Sequence, residues 1–199
     1  MPRKPSNAHL KRDLLAKTRT LLEIEGLDGL DVRKISKKAG CSIGTFYNHY
    51  QNMEDLVIQF NGETLDHLKI FIFETITPYD TPKDIFQKIS ENYISFAKNH
   101  TSAWLLLFEH PIKTPLPDWY QDKVNALFQK VALIFHPILR GSSVEAERAV
   151  KILWSSLHGI CSLTLKNKLR FAKEQDTLEL CQELFHYYTL GFRVGSDLK

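Results

Sequence analysis

Apolar residues recur along this chain at intervals of three and four, the period of helices buried on one side. Leu10, Leu14, Leu21 and Leu22 make one such stripe, over a helix predicted from Asn7 to about Glu25 and stopped by Gly26. A second stripe, Leu56, Phe60, Leu65 and Leu68, predicts a helix from Asn52 to about Phe73, and Asn52 to Asp55 has the form of a capping box with Asp in place of Glu. Thr77-Pro78-Tyr79-Asp80-Thr81-Pro82 is a loop, with two prolines and three cap-forming residues. Further helices are predicted over 82–99, 102–109, 117–136, 143–166 and 174–193. Pro111, Pro115 and Pro117 break the middle connection. Pro137 with Gly141 ends one helix before Ser143 caps the next. No alternation of strand type occurs. The expected fold is all-α, with about nine helices.

Between the first two stripes lies VRKISKKAGCSIGTFYNHYQNMEDL, residues 32–56. Asp31 is placed to cap a short helix whose inward face is Val32, Ile35 and Ala39. Ser36 is small where two helices cross. Gly40 can take the left-handed conformation that turns the chain. Ser42 can cap the next helix, which buries Phe46 and Tyr50, keeps Ile43 at its edge, and displays Thr45, Asn48 and His49 with Tyr47 to one side. Hydroxyl, amide and imidazole groups on a short helix, preceded by Lys34, Lys37 and Lys38, suit the major groove of DNA.

This run resembles the tetracycline-repressor (TetR) family of bacterial transcription regulators. Ile35-Ser36, Ala39-Gly40, Ser42-Ile43-Gly44-Thr45-Phe46-Tyr47, His49-Tyr50 and Glu54-Asp55-Leu56 carry the resemblance, in one connected stretch. Three positions depart from the pattern. Cys41 stands where a small apolar residue is usual, Ile43 where a basic one is frequent, and Met53 where a phosphate-contacting lysine is frequent. The resemblance implies a DNA-binding domain over 7–73, its motif at about 32–51, and a ligand-binding and dimerisation domain over 82–193. DNA contacts are expected from Arg33, Lys37, Ser42, Ile43, Gly44, Thr45, Tyr47, Asn48 and His49. Arg3 and Lys4, on an N-terminal arm, can lie along phosphates or in a minor groove, or belong to an idle tail.

The last predicted helix is apolar on two sides. Leu178, Cys181, Phe185, Tyr188 and Phe192 form one stripe; Leu180, Leu184 and Tyr187 form another. One side can face its own core and the other a partner. Ser155, Gly159 and Ser162 on the preceding helix permit close helix approach. The expected homodimer interface is Ser155, Gly159, Ser162, Leu180, Leu184, Phe185 and Tyr188, a four-helix contact in a twofold dimer. A fully internal last helix is the alternative. The Trp154…His158-Gly159 sequence resembles a signature of one TetR subfamily. The plainer reading of His158 is a core or interface histidine bonded to backbone.

Tyr93, Phe96, Trp104, Phe108, Trp119, Tyr120, Phe128 and Trp154 come from several helices. They can fill a core or wall an apolar cavity. The resemblance favours a cavity, with Leu157, His158 and Cys161 added to its lining and a small apolar or aromatic ligand as occupant.

Charge sharpens the picture. Residues 1–50 hold ten Lys/Arg against five Asp/Glu, while the other 149 hold 16 against 18. The positive excess thus sits with the motif, as expected when one end meets a polyanion. No HExxH, CxxC pair or Walker loop occurs, so no metal site, cofactor or catalytic residue is assigned. Ser156 and His158 are two apart on a helix and do not face each other, which argues against a nucleophile and base. No apolar run reaches the roughly 18 residues that span a bilayer, and no apolar segment follows the basic N-terminus as in a signal peptide. Three scattered cysteines argue for a reducing compartment, hence a cytoplasmic protein without membrane partners. The function expected is a homodimeric, ligand-responsive repressor acting at a palindromic operator in double-stranded DNA. The rivals are a DNA-binding dimer controlled by a protein partner without a small-molecule ligand, and a helical enzyme with a chance motif.

Overall fold

The computed structural model describes residues 7–139, 142–168 and 174–196. Among these the protein is all-α. Its helices are α1 (Asn7–Glu25), α2 (Val32–Lys38), α3 (Ile43–Tyr47), α4 (Met53–Phe73), α5 (Pro82–Asn99), α6 (Thr101–Phe108), α7 (Asp118–Leu139), α8 (Ser143–Leu165) and α9 (Glu174–Ser196), with a 3-10 turn at Gly26–Gly29. No strand occurs among the described residues.

Local chemistry fixes most helix ends. Gly26 and Gly40 take φ of +63° and +66°, the left-handed turn closed to most other residues. Asp31 accepts the Lys34 N–H at 2.9 Å and starts α2. Asn52 accepts the Asp55 N–H at 2.8 Å, while the Asp55 carboxylate reaches back to the Gln51 N–H at 3.0 Å. This is a capping box shifted by one residue on its return arm. Ser142, not Ser143, caps α8, and Glu145 three residues on completes the box. The break expected at Pro137 does not occur, because α7 runs to Leu139. Proline there removes one N–H, whose acceptor would be the carbonyl of Leu133. Leu133 is 76% exposed, so the proline falls where α7 turns a side to solvent.

The described chain forms two compact units, and the first is not one continuous stretch. It comprises the residues up to Asp66 together with His100–Tyr120. Its core gathers Leu14, Leu22, Ile35, Phe46, Tyr50, Leu56 and Phe60, all at most 1% exposed, and Leu106 of α6 closes it. Fully burying side chains of this size contributes about 1.5–3 kcal/mol each. Asn61 of α4 donates through Nδ2 to the Leu106 carbonyl at 3.3 Å. The ring of Trp119 lies so close to Gly62 that a Cβ there would meet it at 2.6 Å.

The second unit holds His67–Asn99 and the described residues from Gln121 onward. Here α5, α8 and α9 pack together. The inward face of α5 is Ile85, Phe86, Ile89, Tyr93 and Phe96. Phe185 of α9 stacks on Phe86 with ring centres 4.6 Å apart and planes at 17°, within the favourable range for offset aromatic pairs.

Candidate nucleic-acid interface

The reading head is built from the turn outward. Ile35 of α2 is fully buried, and Ser36 beside it is 1% exposed, so α2 and α3 meet over a small residue as expected. Its Oγ has no hydrogen-bond partner, while its carbonyl accepts the Cys41 N–H at 3.0 Å and sets the turn. Ser42 caps α3 by accepting the Thr45 N–H at 3.1 Å, and the Ser42 and Thr45 hydroxyls lie 2.8 Å apart. The regular helix ends at Tyr47, but the winding continues. Asn48 N–H bonds to Gly44 O, and Tyr50 N–H to Phe46 O at 3.0 Å.

Two aromatic side chains anchor this short helix. Phe46 is fully buried and Tyr50 nearly so, and the Tyr50 hydroxyl donates to the Lys11 carbonyl of α1 at 3.1 Å. Burial, reinforced by Glu63 and Asp55, pushes the Tyr50 phenol well above its ordinary range. Tyr50 is therefore a neutral structural post. With those two rings inward, the opposite side faces solvent. Ser42, Ile43, Gly44, Tyr47 and Asn48 are exposed, with Thr45 and His49 partly so. Tyr47 is 53% exposed, its ring set edge-on to Phe46 at 5.4 Å.

The cations divide by geometry. Arg33, Lys37 and Lys38 are exposed on α2. Lys34 turns away: its ammonium meets Glu25 at 2.5 Å and the Asp28 carbonyl at 3.1 Å. The hydrogen bond to Glu25 raises its pKa. Arg3 and Lys4 lie outside the described residues. Met53 packs inward against the head core. Sequence reasoning did not foresee that the segment after α6 joins this head, where the Lys113 backbone N–H donates to the Glu54 carboxylate. Nothing in residues 109–117 beyond a proline-broken loop signalled it.

The aromatic set falls in both units. In the first, Trp104 is fully buried against Phe108 at 5.4 Å, and Trp119 lies edge-on to Tyr120 at 5.7 Å. In the second, a run of ring contacts links Phe128 to Trp154, Trp154 to His158 and His158 to Tyr93, with centres 5.4, 5.4 and 6.3 Å apart. His158 Nδ1 lies 2.7 Å from the Tyr93 hydroxyl, so the bonded partner shown is a side chain. Phe96 packs with His67 and Phe71, and Leu157 and Cys161 are buried. A cleft of about 560 Å³ in this unit is lined instead by Thr81, Pro82, Phe185, Tyr187 and Leu190 among others.

Of the residues expected at a dimer interface, Phe185 is buried in its own chain. Ser155 is exposed, and Gly159, Ser162, Leu180, Leu184 and Tyr188 are partly so. On the same two helices Ile152, Leu163, Tyr187 and Leu190 are 41–66% exposed. No group of three or more metal-ligating side chains occurs among the described residues, and no described helix is long and apolar enough to cross a membrane.

Two family profiles match the chain. A profile described as "Bacterial regulatory proteins, tetR family" matches residues 14–60, and one described as "Tetracyclin repressor-like, C-terminal domain" matches 86–186. No curated protein matches the chain. Among solved structures, a protein of unknown function from Rhodococcus sp. RHA1 is similar at 19% identity and a TM-score of 0.74, over 96% of this chain and 98% of its own. A TetR-like transcriptional regulator from the same organism aligns at 16% identity and 0.60, over 92% and 96%. A further transcriptional regulator from Rhodococcus aligns at 14% and 0.71, over 91% and 96%. At these identities the structures speak for the fold alone.

Proposed function

The chain belongs to the TetR family of bacterial regulatory proteins and is a DNA-binding regulator of transcription rather than an enzyme; from that premise we propose that it is a homodimeric repressor released from a palindromic operator by a small apolar effector. The observation that carries the DNA-binding part is the sidedness of α3. Phe46 and Tyr50 are sealed inside, while Ser42, Ile43, Gly44, Thr45, Tyr47, Asn48 and His49 share the accessible side, beside Arg33 and Lys37. Such a helix can meet base edges and flanking phosphates together.

The dimer reading rests on accessible apolar and small residues of α8 and α9: Leu184, Tyr187 and Leu190 on α9, and Ser155 and Gly159 on α8, are all exposed or half-buried. A Cβ at Gly159 would meet nothing within 4 Å, which leaves room for a close helix from a second copy. Two copies would set their α3 helices one turn of DNA, about 34–36 Å, apart. The domains proposed are 7–73 for reading DNA and 82–193 for ligand binding and dimerisation, with the stretch His100–Tyr120 of the latter packed into the compact unit that holds the head. The cytoplasm is the compartment proposed.

The effector reading is supported by the Phe128–Trp154–His158–Tyr93 run, which groups an imidazole with three aromatic rings, side chains suited to an aromatic ligand. A ligand can weaken DNA binding only by its differential affinity for two states of the dimer. About 1–3 kcal/mol of coupling corresponds to roughly 5–150-fold. The rival is release by a protein partner. Mobility shift on duplex DNA flanking the chain's own gene, with and without apolar aromatic compounds, tests the reading. Specific binding abolished by such a compound is expected. No DNA binding at low salt would reject it, and binding insensitive to every compound yet relieved by a protein would favour the rival.

A further inference from the structure

The connection after α6 reaches a place that its position in the chain does not suggest. Lys113 lies 59 residues beyond Glu54, yet its backbone N–H donates to the Glu54 carboxylate in the first turn of α4. The backbone and hydroxyl of Thr114 also bear on that carboxylate, and these donors, the Lys113 amide foremost, together with the charge of the Lys113 ammonium, hold Glu54 below its ordinary pKa. α4 begins immediately where the DNA-facing element ends: Asn48 caps α3, Gln51 and Asn52 are exposed, and Met53 turns inward. The backbone of residues 113–114 is therefore pinned to the corner between α3 and α4.

That corner has a charge problem. The first turn of α4 carries Glu54 and Asp55 and no basic residue. A helix lying in the major groove has phosphates along both edges of the groove. Residues at the end of α3 thus face a polyanion, and two carboxylates there are unfavourable by themselves. Asp55 is occupied by the Gln51 N–H and Glu54 by the 113–114 backbone. The loop brings a cation to this corner, Lys113, whose charge is felt at Glu54. Its side chain is exposed, and its ammonium makes no ion pair among the described residues.

We infer that Lys113, although remote in sequence from the helix-turn-helix, is a phosphate-contacting residue of the DNA interface. Glu54 positions it, binding the backbone amide and leaving the ammonium clear to meet the duplex. The inference rests on the DNA-binding reading above and adds one cation to it. It also separates two roles within one residue: the amide holds the loop, and the side chain holds the nucleic acid.

The test measures binding of the full chain to a labelled random-sequence duplex by fluorescence anisotropy across a salt series. Lys113→Gln keeps the amide that bonds Glu54, so its thermal melting should match the wild type. Its plot of log affinity against log salt should be shallower by about one unit per subunit engaged, since each phosphate neutralised contributes about 0.9. Lys113→Arg should restore the slope. Glu54→Ala removes the acceptor of the Lys113 amide, so it should lower the melting temperature and, with the loop unpinned, flatten the slope as well, whereas loss of a repelling carboxylate alone would tighten binding. Steep wild-type binding with an unchanged slope in Lys113→Gln would overturn this inference and leave the DNA-binding reading standing. Failure of the wild type to bind duplex DNA at low salt would overturn both.

Discussion

The Tyr93 hydroxyl lies 2.7 Å from Nδ1 of His158, joining α5 to α8 across 65 residues of sequence. Tyr93 is 1% exposed and His158 half-buried, so the bond is partly shielded from water. Tyr93→Phe keeps the ring and removes the hydroxyl. It should lower unfolding free energy by about 0.5–1.5 kcal/mol, and by more if His158 is left without a substitute partner. Urea denaturation of the two proteins measures it. An unchanged midpoint would mean that the bond adds nothing to the fold.

On the reading helix, the Ser42 and Thr45 hydroxyls lie 2.8 Å apart, and Ser42 also caps α3. Two substitutions there should differ in kind. Ser42→Ala should cost folding stability, about 1 kcal/mol, through the lost cap. Thr45→Ala should leave stability nearly unchanged and weaken DNA binding by about 1–3 kcal/mol if the hydroxyl meets a base edge. Paired melting and mobility-shift measurements separate the two effects.

Phe185 and Leu184 are neighbours with opposite roles. Phe185 is 7% exposed and stacked on Phe86, whereas Leu184 is partly exposed. Phe185→Ala should cost about 3–5 kcal/mol of folding stability. Leu184→Glu should leave a folded chain that sediments as a monomer. A Leu184→Glu protein that remains dimeric at micromolar concentration would place the interface elsewhere.

Cys161 and Cys181 are each 1% exposed, whereas Cys41 is only partly buried. Burial pushes the two inner thiols from 9.0 up to about 11 and about 12. Native protein at pH 8 should label first at Cys41 with an aromatic disulfide reagent, and at the others only on unfolding. The sign of the linkage follows. The fold favours the neutral thiol, so these groups contribute stability that is complete below pH 9.0 and lost as pH rises through 11 to 12. Chemical denaturation should show the Cys161→Ser protein losing less stability over that alkaline range than the wild type.

Features that depend on a few adjacent residues are legible in the sequence. Asp31, Gly40 and Ser42 act on groups within four positions of themselves, so the bounds of α2 and α3 followed from them. The buried side of α3 followed from Phe46 and Tyr50. The Ser142 cap was legible too, since Glu145 stands three residues on. Pro137 and Gly141 mark the break without telling Ser142 from Ser143; only the spacing to Glu145 does. The side of α9 that turns inward was not legible. Both of its stripes are apolar, and the choice is made by Phe86, about a hundred positions away. The partner of Glu54 was equally hidden, because a backbone amide leaves no mark in the sequence.

The membership of Ala103 and Leu106 in the head core has a consequence for modularity. A reading head that is finished by residues far downstream is not an N-terminal cassette. Stopping the chain after Phe73 would leave Phe60 and Asn61 uncovered where α6 should lie. Exchange of DNA specificity between such regulators, by recombination or by design, would therefore succeed when residues 100–120 travel with the first 66. Transplanting the N-terminal stretch alone would deliver the correct recognition helix on an unfinished support.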